Sequence, residues 1–212
     1  MEQVEVLDIK QKILKAAESL FMKYGVRSIS MDDISRHLSV SKKTLYQHFA
    51  DKEDIVYMTC QAHIESIASR FFDISRYSKN ALEELSKYSS CMKQNTADTN
   101  PSLLFDLQKY HPKAWGVWLN HKNKFIRESM IRNLKQGIRE GYYRPELNVD
   151  IVAAMRIEMV QLPFDENAFP PSQFQLAEVQ MEIFDHFVHG IVTDKGRKLY
   201  QKLKDSLGKL SD

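Results

Sequence analysis

The chain is 212 residues long, 43% hydrophobic and 10% aromatic, which supplies material for a buried core and excludes disorder over most of its length. Seven glycines and six prolines are about half the usual share, so a many-stranded sheet lacks its turn residues and an all-α fold is expected. The net charge of +2 singles out no partner, and two cysteines, Cys60 and Cys91, make neither a disulfide framework nor a metal site.

No apolar run approaches the ~18 residues of a membrane span, and Glu2, Glu5 and Asp8 stand where a signal peptide would be basic. A cytoplasmic chain with reduced thiols is the expectation. Charge is unevenly spread: from Lys10 to Lys52 nine basic residues stand against four acidic ones, an excess suited to a polyanion and equally to an ordinary solvated helix face.

Ile9, Ile13, Ala16, Ala17, Leu20, Phe21 and Tyr24 recur with a 3.6-residue period and predict a first helix, ended by Gly25. Ser30, with Asp33 three positions on, makes a capping box for a short second helix that buries Ile34 and Leu38. The link Ser39-Val40-Ser41 leads to a third short helix with Leu45 and Phe49 inward. Asp51 opens a fourth, which runs through Ile55, Met58 and Ala62 to about Tyr77. The polar tract from Lys93 to Asn100, before Pro101, reads as a loop. Helical pattern then covers Ser102 to Tyr110, breaks at His111-Pro112, and continues through Trp115 and Trp118 to about Arg139. Gly141 to Pro145 is a turn. Val149 to Leu162, Phe174 to His189 and Thr193 to Leu207 read as further helices, the first two separated by a connection from Pro163 to Ser172. Roughly nine or ten helices and no strand are expected.

Three short helices in about 45 residues, the second and third joined by a tight turn, describe a helix-turn-helix. Such a unit needs a compact core so that one helix can protrude into a major groove. Ile13, Ala17, Phe21, Ile34, Leu38, Val40, Leu45 and Phe49 supply it. Outside that core the third helix carries Ser41, Lys42, Lys43, Thr44, Tyr46, Gln47 and His48, all hydrogen-bond donors. Lys42 and Lys43 stand at the helix N-terminus, where the macrodipole disfavours cations; a phosphate would relieve the conflict.

The stretch from Ser30 to Ile55, Ser-Met-Asp-Asp-Ile-Ser-Arg-His-Leu-Ser-Val-Ser-Lys-Lys-Thr-Leu-Tyr-Gln-His-Phe-Ala-Asp-Lys-Glu-Asp-Ile, resembles the signature of the tetracycline-repressor (TetR) family of regulators. Ile34, Val40, Ser41, Leu45, Tyr46, His48, Phe49, Lys52 and Glu53 fall on its pattern. Departures are Ser30 for Thr, which keeps the hydroxyl, Ser35 for Ala, and Ser39 for Gly, which forgoes the easy left-handed conformation of glycine. The resemblance is close over residues 8 to 57. It implies an N-terminal three-helix DNA-binding domain, residues 1–54, and a larger helical ligand-binding and dimerisation domain, residues 55–212.

By this resemblance Ser30, Tyr46, His48 and Lys52 are phosphate contacts on double-stranded operator DNA. Lys42, Lys43, Thr44 and Gln47 are placed to reach base edges. The resemblance also implies a ligand-responsive repressor acting as a homodimer on a pseudo-palindromic operator. Met155, Met159, Ile183, Phe184, Phe187 and Val188 are the interface candidates. Phe72, Tyr88, Met92, Phe105, Trp115 and Trp118 are candidates for a largely apolar effector site. No cofactor or metal is expected: His186 and His189, beside Asp185, lack further ligands. There is no phosphate loop or nucleophile elbow, so an enzyme is not expected. An activator of the same family, or a helical ligand- or partner-binding module without specific DNA binding, are the alternatives.

Overall fold

In the computed structural model the described residues are 8–96 and 99–208, and among them the regular structure is helical, with no strand. They fall into two compact units. One lies within Met1–Ser66 and Asp98–Leu119, the other within Ile67–Ala97 and Asn120–Asp212. The first therefore extends beyond the expected boundary at residue 54.

In the first unit, α1 (Ile9–Tyr24) ends at Gly25, whose φ of 79° suits the residue that lacks a Cβ. Helix α2 (Met31–Leu38) begins at Ser30 with the expected capping box, and α3 (Lys42–His48) is capped by Ser41. The start of α4 (Lys52–Tyr77) buries Ile55, Val56 and Thr59. Ile13, Ala17, Phe21, Ile34, Leu45 and Phe49 are buried as the pattern required; Leu38 and Val40 are half-buried. Helices α6 (Leu103–Tyr110) and α7 (Pro112–Asn120) complete this unit. Asp106 Oδ2 accepts from the Arg27 backbone N–H (3.0 Å), and the Asn100 N–H donates to the Met22 carbonyl (2.6 Å), so the α6 segment fixes the α1–α2 connection.

In the second unit, α5 (Ala81–Thr96) extends into the tract expected to be a loop. The Thr96 hydroxyl donates to Gln180 Oε1 (2.7 Å), a tertiary tie that keeps polar residues helical. Residues 97 and 98 of that expected loop lie outside the described residues. A π-helical segment, His121–Ile126, follows α7 without a break and continues into α8 (Arg127–Arg139). Helix α9 (Val149–Gln161) passes into a 3-10 turn, Leu162–Phe164, and α10 (Leu176–Ile191) and α11 (Asp194–Gly208) close the chain. Leu82, Leu85, Leu134, Tyr143, Ala153, Phe184, Phe187 and Val188 share one core. A polar network is sunk in it: Asn133 Nδ2 donates to Glu84 Oε2 (3.0 Å) and the Tyr143 hydroxyl to Asn133 Oδ1 (3.0 Å). No helix among the described residues is long and apolar enough to cross a membrane.

Candidate nucleic-acid interface

Leu45 and Phe49, 0% and 1% exposed, anchor the inner side of α3, so the other side must face solvent. Lys42, Lys43, Tyr46 and Gln47 are exposed, Tyr46 by 54%, and Thr44 and His48 are half-buried. These side chains therefore stand on one short helix whose orientation is fixed by core packing and by the turn before it.

That turn is a Schellman closure. The Ser39 N–H donates to the Arg36 carbonyl (3.1 Å) and the Val40 N–H to the Ser35 carbonyl (3.0 Å). Ser39 adopts φ 55°, ψ 37°, the left-handed region, at the position where the resembled pattern has glycine. The geometry survives without glycine because the two carbonyls are satisfied, at the steric cost an L side chain incurs there. Ser35 is buried, with its hydroxyl donating to the Asp32 carbonyl (3.0 Å).

The candidate residues divide by what already holds them. Ser30 Oγ accepts from the Asp33 N–H (3.2 Å) and donates to Asp33 Oδ2 (2.5 Å); the Ser30 hydroxyl, the Ser30 N–H and Arg36 hold the Asp33 carboxyl below its usual range. Ser41 Oγ accepts from the Thr44 N–H (3.1 Å) and lies 2.9 Å from Thr44 Oγ1. Lys52 Nζ donates to the Val26 carbonyl (2.7 Å), tying α4 to the α1–α2 link, and partial burial pushes its ammonium pKa down. Lys42 Nζ sits 2.6 Å from Asp32 Oδ1 on α2. Asp32 was not singled out by the sequence, because only the fold brings its carboxylate to the N-terminal end of α3. Among the described residues, the side chains of Lys43, Tyr46, Gln47 and His48 make no hydrogen bond or ion pair.

The effector and interface candidates are distributed differently. Phe105, Trp115 and Trp118 belong to the first unit, and Phe72, Tyr88 and Met92 to the second. Phe72 and Phe105 are 64% and 51% exposed. The Tyr88 hydroxyl donates to Glu84 Oε1 (2.6 Å), and its ring packs on Phe71 at 4.5 Å. Met92 and Met159 meet at a small cavity within the second unit, which Arg156 also lines. Of the interface candidates, Met155 is exposed and Met159 and Ile183 are half-buried, whereas Phe184, Phe187 and Val188 are buried inside the chain's own core. Ile151 and Leu162, not among the candidates, are exposed on the same face of the α9 segment as Met155.

Residues 13–57 match the family model described as bacterial regulatory proteins, tetR family. The chain is 27% identical over 144 residues to the HTH-type transcriptional repressor KstR2 of Mycobacterium tuberculosis, spanning 66% of this chain and 72% of that one. It is 27% identical over 171 residues to YvaF of Bacillus subtilis, an HTH-type transcriptional regulator, spanning 79% and 88%. A protein from Saccharomonospora viridis, solved in complex with choline, shares the fold with a TM-score of 0.69 at 16% identity, over 87% of this chain and 97% of that one.

Proposed function

Through residues 13–57 this chain belongs to the tetR family of bacterial regulatory proteins, and on that premise we propose that it is a transcriptional repressor that binds a pseudo-palindromic operator as a homodimer and leaves it when a small molecule binds. The observation that carries this reading is the outer side of α3. Among the described residues, the side chains of Lys43, Tyr46, Gln47 and His48 are donors without partners, on a helix anchored by the buried Leu45 and Phe49. Residues 1–54 are the DNA-binding domain in this account, and residues 55–212 carry effector binding and dimerisation.

In the major groove, Lys43 suits guanine O6 and N7 and Gln47 suits adenine N6 and N7. Tyr46 and His48 reach flanking phosphates and set register. Lys42 can contribute once DNA phosphate competes with Asp32 for its ammonium. Ser30 and Lys52, held by intrachain bonds, present their remaining hydrogen-bonding capacity to the backbone. Repression follows the name of the KstR2 relative. An exposed stripe of Ile151, Met155 and Leu162 supports a homodimer, since apolar residues on one helix face favour burial against a second copy. The choline complex of the Saccharomonospora protein supports a small-molecule site in this fold. A ligand acts on DNA affinity only by its differential binding to two arrangements of the dimer, typically ~1–3 kcal/mol.

Footprinting on DNA upstream of the chain's own gene tests the reading. Two protected half-sites related by two-fold symmetry, about one helical turn or more apart, are expected. A Lys43→Ala/Tyr46→Ala/Gln47→Ala variant loses them. Protection that survives this variant unchanged overturns the assignment of α3.

A further inference from the structure

Arg156 lies on α9 at 6% exposure, and no carboxylate among the described residues pairs with it. Its Nε has no hydrogen-bond partner. Among the described residues, the groups that face the guanidinium are the rings of Phe184 and Phe187, whose centroids lie 5.6 and 5.4 Å away. Ring faces attract a cation but do not replace oxygen acceptors for its five N–H donors. Burial pushes its pKa down to about 10, which leaves it charged at neutral pH. A buried charge is ordinarily paired, so this one lacks an anion.

The same side chain lines a cavity bounded by α5, α9 and α10. Its other polar neighbours are already engaged: Gln180 Oε1 accepts from Thr96, and Ser89 Oγ donates to Met181 Sδ (3.4 Å). The remaining wall includes Met92, Met159 and Met181. The cavity volume is about 10 Å³, room for one water. Three unbranched thioether side chains can repack to enlarge it more readily than branched ones.

We propose that this cavity seats the head group of the effector, an alkyl carboxylate whose anion pairs with Arg156 and whose chain displaces the methionines. The inference rests on the ligand-control reading above and adds the chemical class of the ligand. A guanidinium presents a planar fork that matches a carboxylate with two parallel hydrogen bonds, whereas an alcohol or a quaternary ammonium offers no such match. The surrounding methionines and Phe184 suit an apolar remainder.

The test is calorimetric titration of the full chain with straight-chain carboxylates of about six to fourteen carbons and with the alcohols of the same lengths. At least one carboxylate is expected to bind about tenfold or more tightly than its alcohol. Arg156→Met abolishes that preference, and Arg156→Lys keeps part of it. Arg156→Met removes a buried unpaired charge, so its thermal midpoint should equal or exceed the wild type, which shows that it folds. Equal binding of acid and alcohol across the series overturns the proposal. So does a change in dimer dissociation in Arg156→Met without a change in carboxylate binding, because the missing anion would then come from a second copy. DNA release is read separately. Carboxylate binding that depends on Arg156 but leaves operator affinity unchanged supports the anion site and refutes ligand control. Release by uncharged compounds, equal in wild type and Arg156→Met, supports ligand control and refutes the anion site.

Discussion

Replacing Ser39 by glycine isolates the energy stored in the turn that orients α3. A non-glycine residue in the left-handed region carries about 1–2 kcal/mol of steric cost, which glycine does not. Glycine loses more chain entropy on folding, about 0.5–1 kcal/mol. The Ser39 side chain is exposed and makes no hydrogen bond among the described residues, and both closing bonds of the turn are backbone bonds, so truncation removes nothing else. The net expectation for Ser39→Gly is a stabilisation of about 0.5–1 kcal/mol, a rise of ~1–4 °C in Tm for a chain of this size. Ser39→Val goes the other way by ~1 kcal/mol, since a β-branched side chain fits φ 55° worse than serine does. Thermal melts followed by circular dichroism at the helical band measure all three proteins. Operator affinity should change by less than about twofold in Ser39→Gly, because the turn already has the glycine geometry. A glycine variant that melts below the wild type, or a valine variant that melts with it, refutes the strain argument.

Gly137→Ala should lower Tm by ~6–12 °C, about 3 kcal/mol, because a Cβ would stand 2.1 Å from the Tyr143 ring, which its bonds to Ala81 and Asn133 hold in place; differential scanning calorimetry checks it. Asp32→Asn should tighten binding to random duplex by about threefold at moderate salt, since it frees Lys42 and removes an anion facing DNA; unchanged or weaker binding in fluorescence anisotropy contradicts this. Ile151→Glu/Met155→Glu should reduce the mass in light scattering from twice the 24.8 kDa of the chain to once, and a persistent dimer would place the interface elsewhere.

The first three helices were legible because their signals are local. The 3.6-residue stripe, Gly25 and the Ser30–Asp33 capping box each act within one turn of the residues that encode them. Elsewhere the deciding contacts are distant in sequence. Thr96 stays helical through a bond to Gln180, and the buried Lys122 of the π-helical segment is satisfied by Glu158 and Gln161 of α9. Phe184, Phe187 and Val188, interface candidates by the resemblance, lie instead in the chain's own core because α5 packs against α10. In the candidate site, exposure and donor chemistry were readable from the spacing of α3, while the ties of Lys42 to Asp32 and of Lys52 to Val26 depend on three-dimensional proximity. Arg156 was unreadable for the same reason, since an arginine in an amphipathic segment looks solvated until the helices on either side are placed.

In the proposed reading, Lys43 and Gln47 on the outer side of α3 meet base edges while Tyr46 and His48 hold phosphates. Fluorescence anisotropy of the footprinted operator and of a random duplex, titrated at several salt concentrations, addresses it directly with wild type, Lys43→Ala and Gln47→Ala. For Lys43→Ala the account predicts lowered operator affinity with a nearly unchanged log–log salt slope, because Lys43 is assigned to a base edge; a slope reduced by about one per subunit would place its ammonium at a phosphate instead. For Gln47→Ala it predicts operator affinity lowered by ~1–3 kcal/mol with random-duplex affinity unchanged. Wild-type affinity that is independent of salt, or an operator preference intact in both variants, would contradict it.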